Sequence, residues 1–439
     1  MQSVTEIAAS VRHGGSTSAA VEAALARIDA LDSEIKAWVE VDREGALRAA
    51  SEGAPAGPLA GVPVGIKDIF DVAGLPTRLG AGPYAHYNPD TDSAAVARLR
   101  AAGAIILGKT HTTAFAMQDP APTRNPWNLD HTPGGSSSGS AAGVAAGMIP
   151  LALGSQTVGS TLRPAAYCGV VGFKPSHGRI SAAGVFPLAP SFDHIGIFSR
   201  SVADTTLALS VLAGFDAADP YSIDRPVDDY VAAAANPNLR PRIGLATKFY
   251  HGVADDEVAR HIDAVAERLA AAGARVTEVE MPASAQEITD LGQPLFRAET
   301  AAVRFRPYSR HKEEYPPIIS RHIEAGLAVT AVDFIAARSA YQDLRRALTT
   351  ILPGYDVLLF PASVGTAPLG LTSTGPPLFN APASFTGLPA IALPSGLAAN
   401  GLPLSVQLMA GPFAEAQLLS AAAWVENLLD FHAEPALGA

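Results

Sequence analysis

The residues that could do chemistry are concentrated in one stretch, Pro133 to Pro164, which reads PGGSSSGSAAGVAAGMIPLALGSQTVGSTLRP. Two glycine-serine turns, Gly134-Gly135-Ser136-Ser137-Ser138-Gly139 and Val158-Gly159-Ser160, are separated by an Ala/Gly-rich helical pattern and the apolar run Met148 to Leu153. Glycine permits the positive φ and close backbone approach that such turns need. A helix of small residues lets two such loops pack together, so Ser136 and Ser160, 24 positions apart, can share one pocket. A flexible linker has a similar composition, but it would not be interrupted by helix and strand patterns. We read the stretch as the active site. Upstream, the apolar run Leu59 to Ile66 ends in Lys67, and lysine is rarely buried without a reason.

Two further patterns compete for attention. Gly103-Ala104-Ile105-Ile106-Leu107-Gly108-Lys109-Thr110 satisfies G-x-x-x-x-G-K-T, which would make the chain a nucleotide-binding protein. A phosphate loop, however, follows a strand and opens a helix, whereas these variable residues read as the strand itself, preceded by a helix. Gly135-Ser136-Ser137-Ser138-Gly139 fits the nucleophile elbow G-x-S-x-G with Ser137 as nucleophile. The polar, turn-rich Asn125 to Pro133 is not the strand that must precede an elbow. His111, His131, His177 and His194 lack metal-ligand spacing, and the reading calls for no metal and no cofactor.

The elements that must position these residues follow from periodicity. Helical patterns cover Ala19 to Leu31, Asp92 to Ala102 and Val202 to Leu212, and much of 284–350 and 413–428. An amphipathic helix carries Val258, Ile262, Val265 and Leu269 on one face and is ended by Gly273. Strand-like pieces are Trp38 to Val41, Leu59 to Lys67, Ala104 to Leu107, Arg242 to Leu245, Asp356 to Pro361 and Leu402 to Met409. Strands interleaved with helices predict an α/β sheet. No internal repeat or biased linker marks a domain boundary.

The chain has 439 residues, 48% of them hydrophobic, and a net charge of −11 with no Lys/Arg run, which argues against a nucleic-acid partner. Its one cysteine, Cys168, excludes internal disulfides and reads as a small buried apolar residue. No apolar run approaches the roughly 20 residues of a membrane span and no signal peptide is evident, so the expectation is a cytoplasmic protein without membrane contact.

The run Gly134 to Pro175, together with Gly65-Ile66-Lys67-Asp68, resembles the amidase signature family, whose members hydrolyse carboxamides with a Ser, cis-Ser, Lys triad. Lys67 and Ser160 stand 93 positions apart, and that spacing with Gly154-Ser155-Gln156-Thr157 and Arg163-Pro164-Ala165-Ala166-Tyr167-Cys168-Gly169 makes the chain most similar to the malonamidase branch. The likeness is strongest from about 59 to 200 and more general after 240. It implies one α/β domain over 1–439, a mixed twisted sheet flanked on both faces by helices, with the signature core at 59–200 and a variable substrate side at 240–350.

Carried onto this sequence, the resemblance implies Ser160 as nucleophile, Ser136 as the bridging cis-serine and Lys67 as the base, with Thr157, Val158 and Gly159 forming the oxyanion hole. A hydroxyl needs a base to take its proton, and a lysine serves only if burial lowers its pKa. Two departures stand out: Gln156 where many members have Asp, and Val158 where they have Gly. Arg163, one turn beyond Ser160, has the guanidinium that would clamp a substrate carboxylate, which predicts a short acid monoamide such as malonamate. The alternative within the family is the catalytic subunit of a tRNA-dependent amidotransferase. The implied partner is a small-molecule amide, and the resemblance leaves room for a homodimer.

Overall fold

The computed structural model describes residues 2–53, 56–236 and 239–437. Among them run eleven strands: β1 (Trp38–Val41), β2 (Pro63–Lys67), β3 (Ile105–Thr110), β4 (Leu151–Gln156), β5 (Val171–Lys174), β6 (His194–Ser199), β7 (Arg242–Leu245), β8 (Arg275–Glu278), β9 (Val357–Pro361), β10 (Ala390–Leu397) and β11 (Pro403–Met409). They form one mixed sheet in the order β1-β3-β2-β4-β6-β5-β10-β11-β9-β7-β8. Every residue of β2, β3, β4, β5, β6, β9 and β11 is buried, because helices cover both faces. The α/β expectation holds.

Local patterns gave most elements. The strands Trp38–Val41 and Arg242–Leu245 and the helix Val202–Leu212 have the expected bounds. The amphipathic helix is Asp256–Ala271, with Val258, Ile262, Val265 and Leu269 buried and Gly273 beyond its end at φ +100. Four strands had no clear signal. β5 and β8 span four residues each, β6 carries a histidine and a glycine, and β10 contains Pro394 and Gly396 at a register shift against β11. No described helix is long and apolar enough to cross a membrane.

β2 pairs in parallel with β3 on one side and β4 on the other, and β4 pairs antiparallel with β6. The carboxyl ends of β2 and β4 and the start of β6 therefore meet at one edge of the sheet, where ligands bind in α/β folds. The helix Ser138–Ala145 lies over this edge and can approach closely because it is built of small residues. A Cβ on Gly139 would lie 2.1 Å from the Ala37 carbonyl oxygen.

The phosphate-loop reading of Gly103 to Thr110 is overturned here. Ile105 to Thr110 is the buried strand β3, and no helix opens after it. Lys109 Nζ is engaged inside the protein, 2.9 Å from Asp68 Oδ1, 2.7 Å from Thr77 Oγ1 and 3.2 Å from the Pro76 carbonyl. Both members of this ion pair are fully buried. Asp68 also accepts from the Arg78 N–H at 3.1 Å. Desolvation pushes the lysine down and the carboxyl up, and each partner opposes the other's shift.

Removing one member of a buried pair leaves the other charge without compensation. Lys109→Met should therefore lower stability by about 3 to 5 kcal/mol in urea unfolding, and millimolar ATP should leave the thermal midpoint of the wild type unchanged. A stabilisation by ATP would restore the nucleotide reading.

Candidate active site

Lys67 is the last residue of β2, and its side chain is completely buried. Its Nζ lies 2.7 Å from Ser136 Oγ and 2.8 Å from Ser155 Oγ. Among the described residues no carboxylate lies within ion-pair distance of it, in contrast to Lys109 on the neighbouring strand. Burial pulls its pKa well below the ordinary lysine value, and only the negative charge of Asp193 opposes that shift. An amine held by hydroxyls in a dry site, without a contacting anion, is shifted toward its neutral form.

Ser136 follows a cis peptide bond from Gly135. The neighbouring serines are tied to the backbone: Ser137 Oγ donates to the Ser155 carbonyl and accepts from the Ser155 N–H, both at 3.2 Å, Ser138 Oγ donates to the Gly134 carbonyl at 2.7 Å, and Ser140 Oγ donates to the Leu153 carbonyl at 2.8 Å. Ser137 is therefore a buried fastener between its loop and β4, and the nucleophile-elbow reading loses its nucleophile. The fastener needs Gly154, where a Cβ would lie 2.7 Å from Ser137 Oγ.

The second loop leaves β4 at Gln156 and enters the helix Leu162–Cys168. Gln156 closes it from within. Its Oε1 accepts from the N–H groups of Thr161 and Leu162 at 2.8 and 2.9 Å, capping the helix, and its Nε2 donates to Ser384 Oγ at 2.8 Å. Ser384 in turn donates to the Val158 carbonyl at 2.7 Å. Glutamine thus does with one amide what needs an acceptor and a donor, and Val158 is accommodated half-buried. Among the described residues the N–H groups of Thr157, Val158, Gly159 and Ser160 donate to no protein acceptor, the arrangement an oxyanion hole needs. Gly159 is hemmed in: a Cβ would stand 2.7 Å from both Pro377 and Asn380.

The two loops touch. The Ser137 N–H points to the Ser160 carbonyl at 3.4 Å, and a Cβ on Gly134 would meet Pro164 at 3.0 Å. The Lys67 to Ser136 link is closed as a hydrogen bond; the Ser160 hydroxyl, 8% exposed, has no protein partner among the described residues.

Arg163 is 3% exposed and its guanidinium is already engaged. Nη1 donates to the Gly375 carbonyl at 2.6 Å, and Nη2 to the Gly135 carbonyl at 2.6 Å and Thr374 Oγ1 at 3.2 Å. Burial pulls its pKa down to about 10. It pins the Ser136 loop to the segment around Gly375, which occupies three of its five N–H groups and leaves Nε without a protein partner among the described residues. Cys168 is buried as expected, its Sγ 3.4 Å from the Pro133 carbonyl.

Sequence reasoning missed Ser155, Ser384 and Asp193. Ser155 lay inside the quoted motif, and its place on β4 beside β2 was its signal. Ser384 and Asp193 reach the site only through tertiary structure. Asp193 Oδ1 accepts from Thr157 Oγ1 at 2.6 Å. A cavity of about 210 Å³ opens beside this pair, lined by Ser155, Thr157 and Asp193 and by apolar side chains including Ile69, Val185, Phe186 and Leu188.

A family model described as Amidase matches residues 19–419. The chain is 34% identical over 461 aligned positions to a glutamyl-tRNA(Gln) amidotransferase subunit of Geobacter sp. (strain M21), covering 95% of each. Among solved structures, 6-aminohexanoate cyclic dimer hydrolase superposes with a TM-score of 0.91 at 28% identity, covering 99% of both chains. The peptide amidase from Stenotrophomonas maltophilia does so with 0.86 at 29%, covering 100% of this chain and 99% of that one. The narrower likeness to malonamidase is not what these relatives carry. By sequence over most of its length and by fold, the chain belongs to the amidase signature family, and it is an enzyme that hydrolyses carbon–nitrogen bonds.

Proposed function

We propose that the protein is a serine amidohydrolase acting on small carboxamides, with Ser160 as nucleophile, Ser136 as proton bridge and Lys67 as base. The observation that carries this reading is Lys67 Nζ at 2.7 Å from Ser136 Oγ in a site where burial disfavours the ammonium form. Neutral Lys67 takes the Ser136 proton as Ser136 takes that of Ser160, and Ser160 Oγ adds to the amide carbonyl. The N–H groups of Thr157, Val158, Gly159 and Ser160 receive the oxyanion. Collapse expels the amine, which leaves with the proton returned through Ser136; water then repeats the sequence on the acyl-enzyme.

The restriction to a short acid monoamide such as malonamate rested on Arg163. With three of its five N–H groups given to Gly375, Gly135 and Thr374, and with an amidotransferase subunit and other amidases as relatives, that support weakens, and the proposal extends to neutral amides. A second reading, the ammonia-releasing subunit of a tRNA-dependent amidotransferase, is favoured by the curated relatives, which carry that name at 34 to 36% identity. Ammonia release by the isolated chain separates the two. A free-standing amidohydrolase turns over propionamide without partners; release from glutamine alone, and only with partner subunits added, would favour the second.

Ser160→Ala should abolish turnover and acyl-enzyme formation. In the wild type, activity should rise with pH as Lys67 loses its proton, since only the neutral amine is a base; because its pKa is lowered, this limb should lie below the ordinary lysine range. Lys67→Arg should be inactive, arginine staying protonated. A Lys67→Arg enzyme with near-wild-type rate would reject the general-base role.

Arg163 yields a separate expectation. Arg163→Gln loosens the Ser136 loop for every substrate, so kcat/KM for malonamate and propionamide should fall by the same factor, equivalent to about 2 kcal/mol, the range of a lost charge-assisted bond. A loss confined to malonamate would restore the carboxylate clamp.

A further inference from the structure

Asp193 is the residue before β6, and β6 pairs antiparallel with β4 so that His194 stands opposite Gln156. One step beyond that pair, Asp193 therefore faces Thr157, the first residue of the oxyanion turn. Its carboxyl group is saturated with donors: Oδ1 accepts from Thr157 Oγ1 at 2.6 Å, and Oδ2 from the N–H groups of Leu188 and Ala189 at 2.8 and 3.0 Å. The three donors favour the carboxylate form, while burial, the larger effect, holds the group above the ordinary carboxylate range. Leu188 belongs to the wall of the cavity beside the turn, so a single side chain ties that wall to the oxyanion loop.

The same carboxylate is the acid that bears on Lys67. With strands about 4.8 Å apart, β6 lies two strands, or about 10 Å, from β2, which is close enough for a charge in a dry site to act on a lysine. The other charged or titratable groups that Asp193 acts on are His177, Glu299 and Arg304. His177 is bound through Nε2 to the Pro190 carbonyl at 3.0 Å, Glu299 accepts from the Ser191 N–H at 2.9 Å, and Arg304 donates to the Pro187 carbonyl. All three hold the 187–191 segment and none touches Lys67.

We propose that Asp193 is a positioning residue for the reaction assigned above: through Thr157 it holds the oxyanion turn, and from two strands away its carboxyl group bears on Lys67. The proposal rests on Ser160 being activated by Lys67. The two arms are separable by substitution. Asp193→Asn can keep all three hydrogen bonds, with Oδ1 accepting from Leu188 and Ala189 and Nδ2 donating to Thr157 Oγ1, while it removes the charge. Thr157→Val keeps the charge and removes the tie.

The readout is the rate at which an alkyl fluorophosphonate labels Ser160, followed by mass across pH. Ser160 Oγ forms a bond to phosphorus, fluoride leaves, and the hydroxyl proton passes to Lys67, so the pH midpoint reports the base without any choice of substrate. A negative charge favours the ammonium form, so removing it lowers the lysine pKa. Asp193→Asn should move the midpoint to lower pH by on the order of one unit, and thus gain labelling relative to its own plateau at acid pH. Thr157→Val should lose about tenfold in plateau rate, less than the roughly 10²- to 10³-fold cost of removing an oxyanion donor outright, with its midpoint unmoved. An Asp193→Asn midpoint that stays put or rises, or a Thr157→Val shift as large as that of Asp193→Asn, overturns the proposal. Should Asp193→Asn not fold, an unchanged plateau in Thr157→Val overturns it alone. A wild-type protein that is not labelled on Ser160 would instead overturn the serine reading beneath it.

Discussion

Two lysines end up on neighbouring, fully buried strands, facing opposite sides of the sheet, and the difference between them organises the molecule. Lys109 on β3 has a carboxylate, Asp68, at 2.9 Å; Lys67 on β2 has two serine hydroxyls. Desolvation of an ammonium is unfavourable, and a contacting anion is what normally offsets it. Withholding that anion from Lys67 shifts the balance toward the neutral amine, the form that the proposed base role requires. Asp68, next in sequence, shows that a partner was within reach: the alternation of a strand sends it to the opposite face, where it serves Lys109.

That choice constrains the loops around it. Hydroxyls that receive an amine must themselves be held, and the structure holds them by short chains of hydrogen bonds. Ser155 sits on β4 at a position clasped by Ser137, and the Ser136 loop is pinned from the far side by Arg163 on the Gly135 carbonyl. The second loop is closed by Gln156 and Ser384 together. Of the hydroxyls in this stretch, Ser136 and Ser155 face the lysine while Ser137, Ser138 and Ser140 fasten to backbone groups.

What was legible in the sequence was whatever is local. The two glycine turns, the small-residue helix between them, the buried lysine at a strand end and the amphipathic helix at Asp256–Ala271 are all set by neighbours within a few positions. The false phosphate loop could be rejected for the same reason, since its variable residues read as strand. The part that was not legible depends on partners far along the chain. Arg163 has the right type and spacing to clamp a carboxylate, and Thr374 and Gly375, more than 200 positions away, reveal that it also braces the backbone. Asp193 reaches Thr157 through the antiparallel register of β4 and β6, and no periodicity announces which strands will be neighbours.

The long reach of those closures has a consequence for the order of assembly. Gln156 to Ser384, Val158 to Ser384 and Arg163 to Gly375 are separated by 228, 226 and 212 residues. A chain emerging from the ribosome holds Lys67, Ser136 and Ser160 long before the segment that fixes their loops has been made. Contacts of such separation form late, because the entropy of closing the intervening chain must be met first. A fragment ending before residue 374 would keep Lys67 on β2, the Ser137 clasp and the bond from Arg163 to Gly135, but would lack the closures at Gly375 and Ser384.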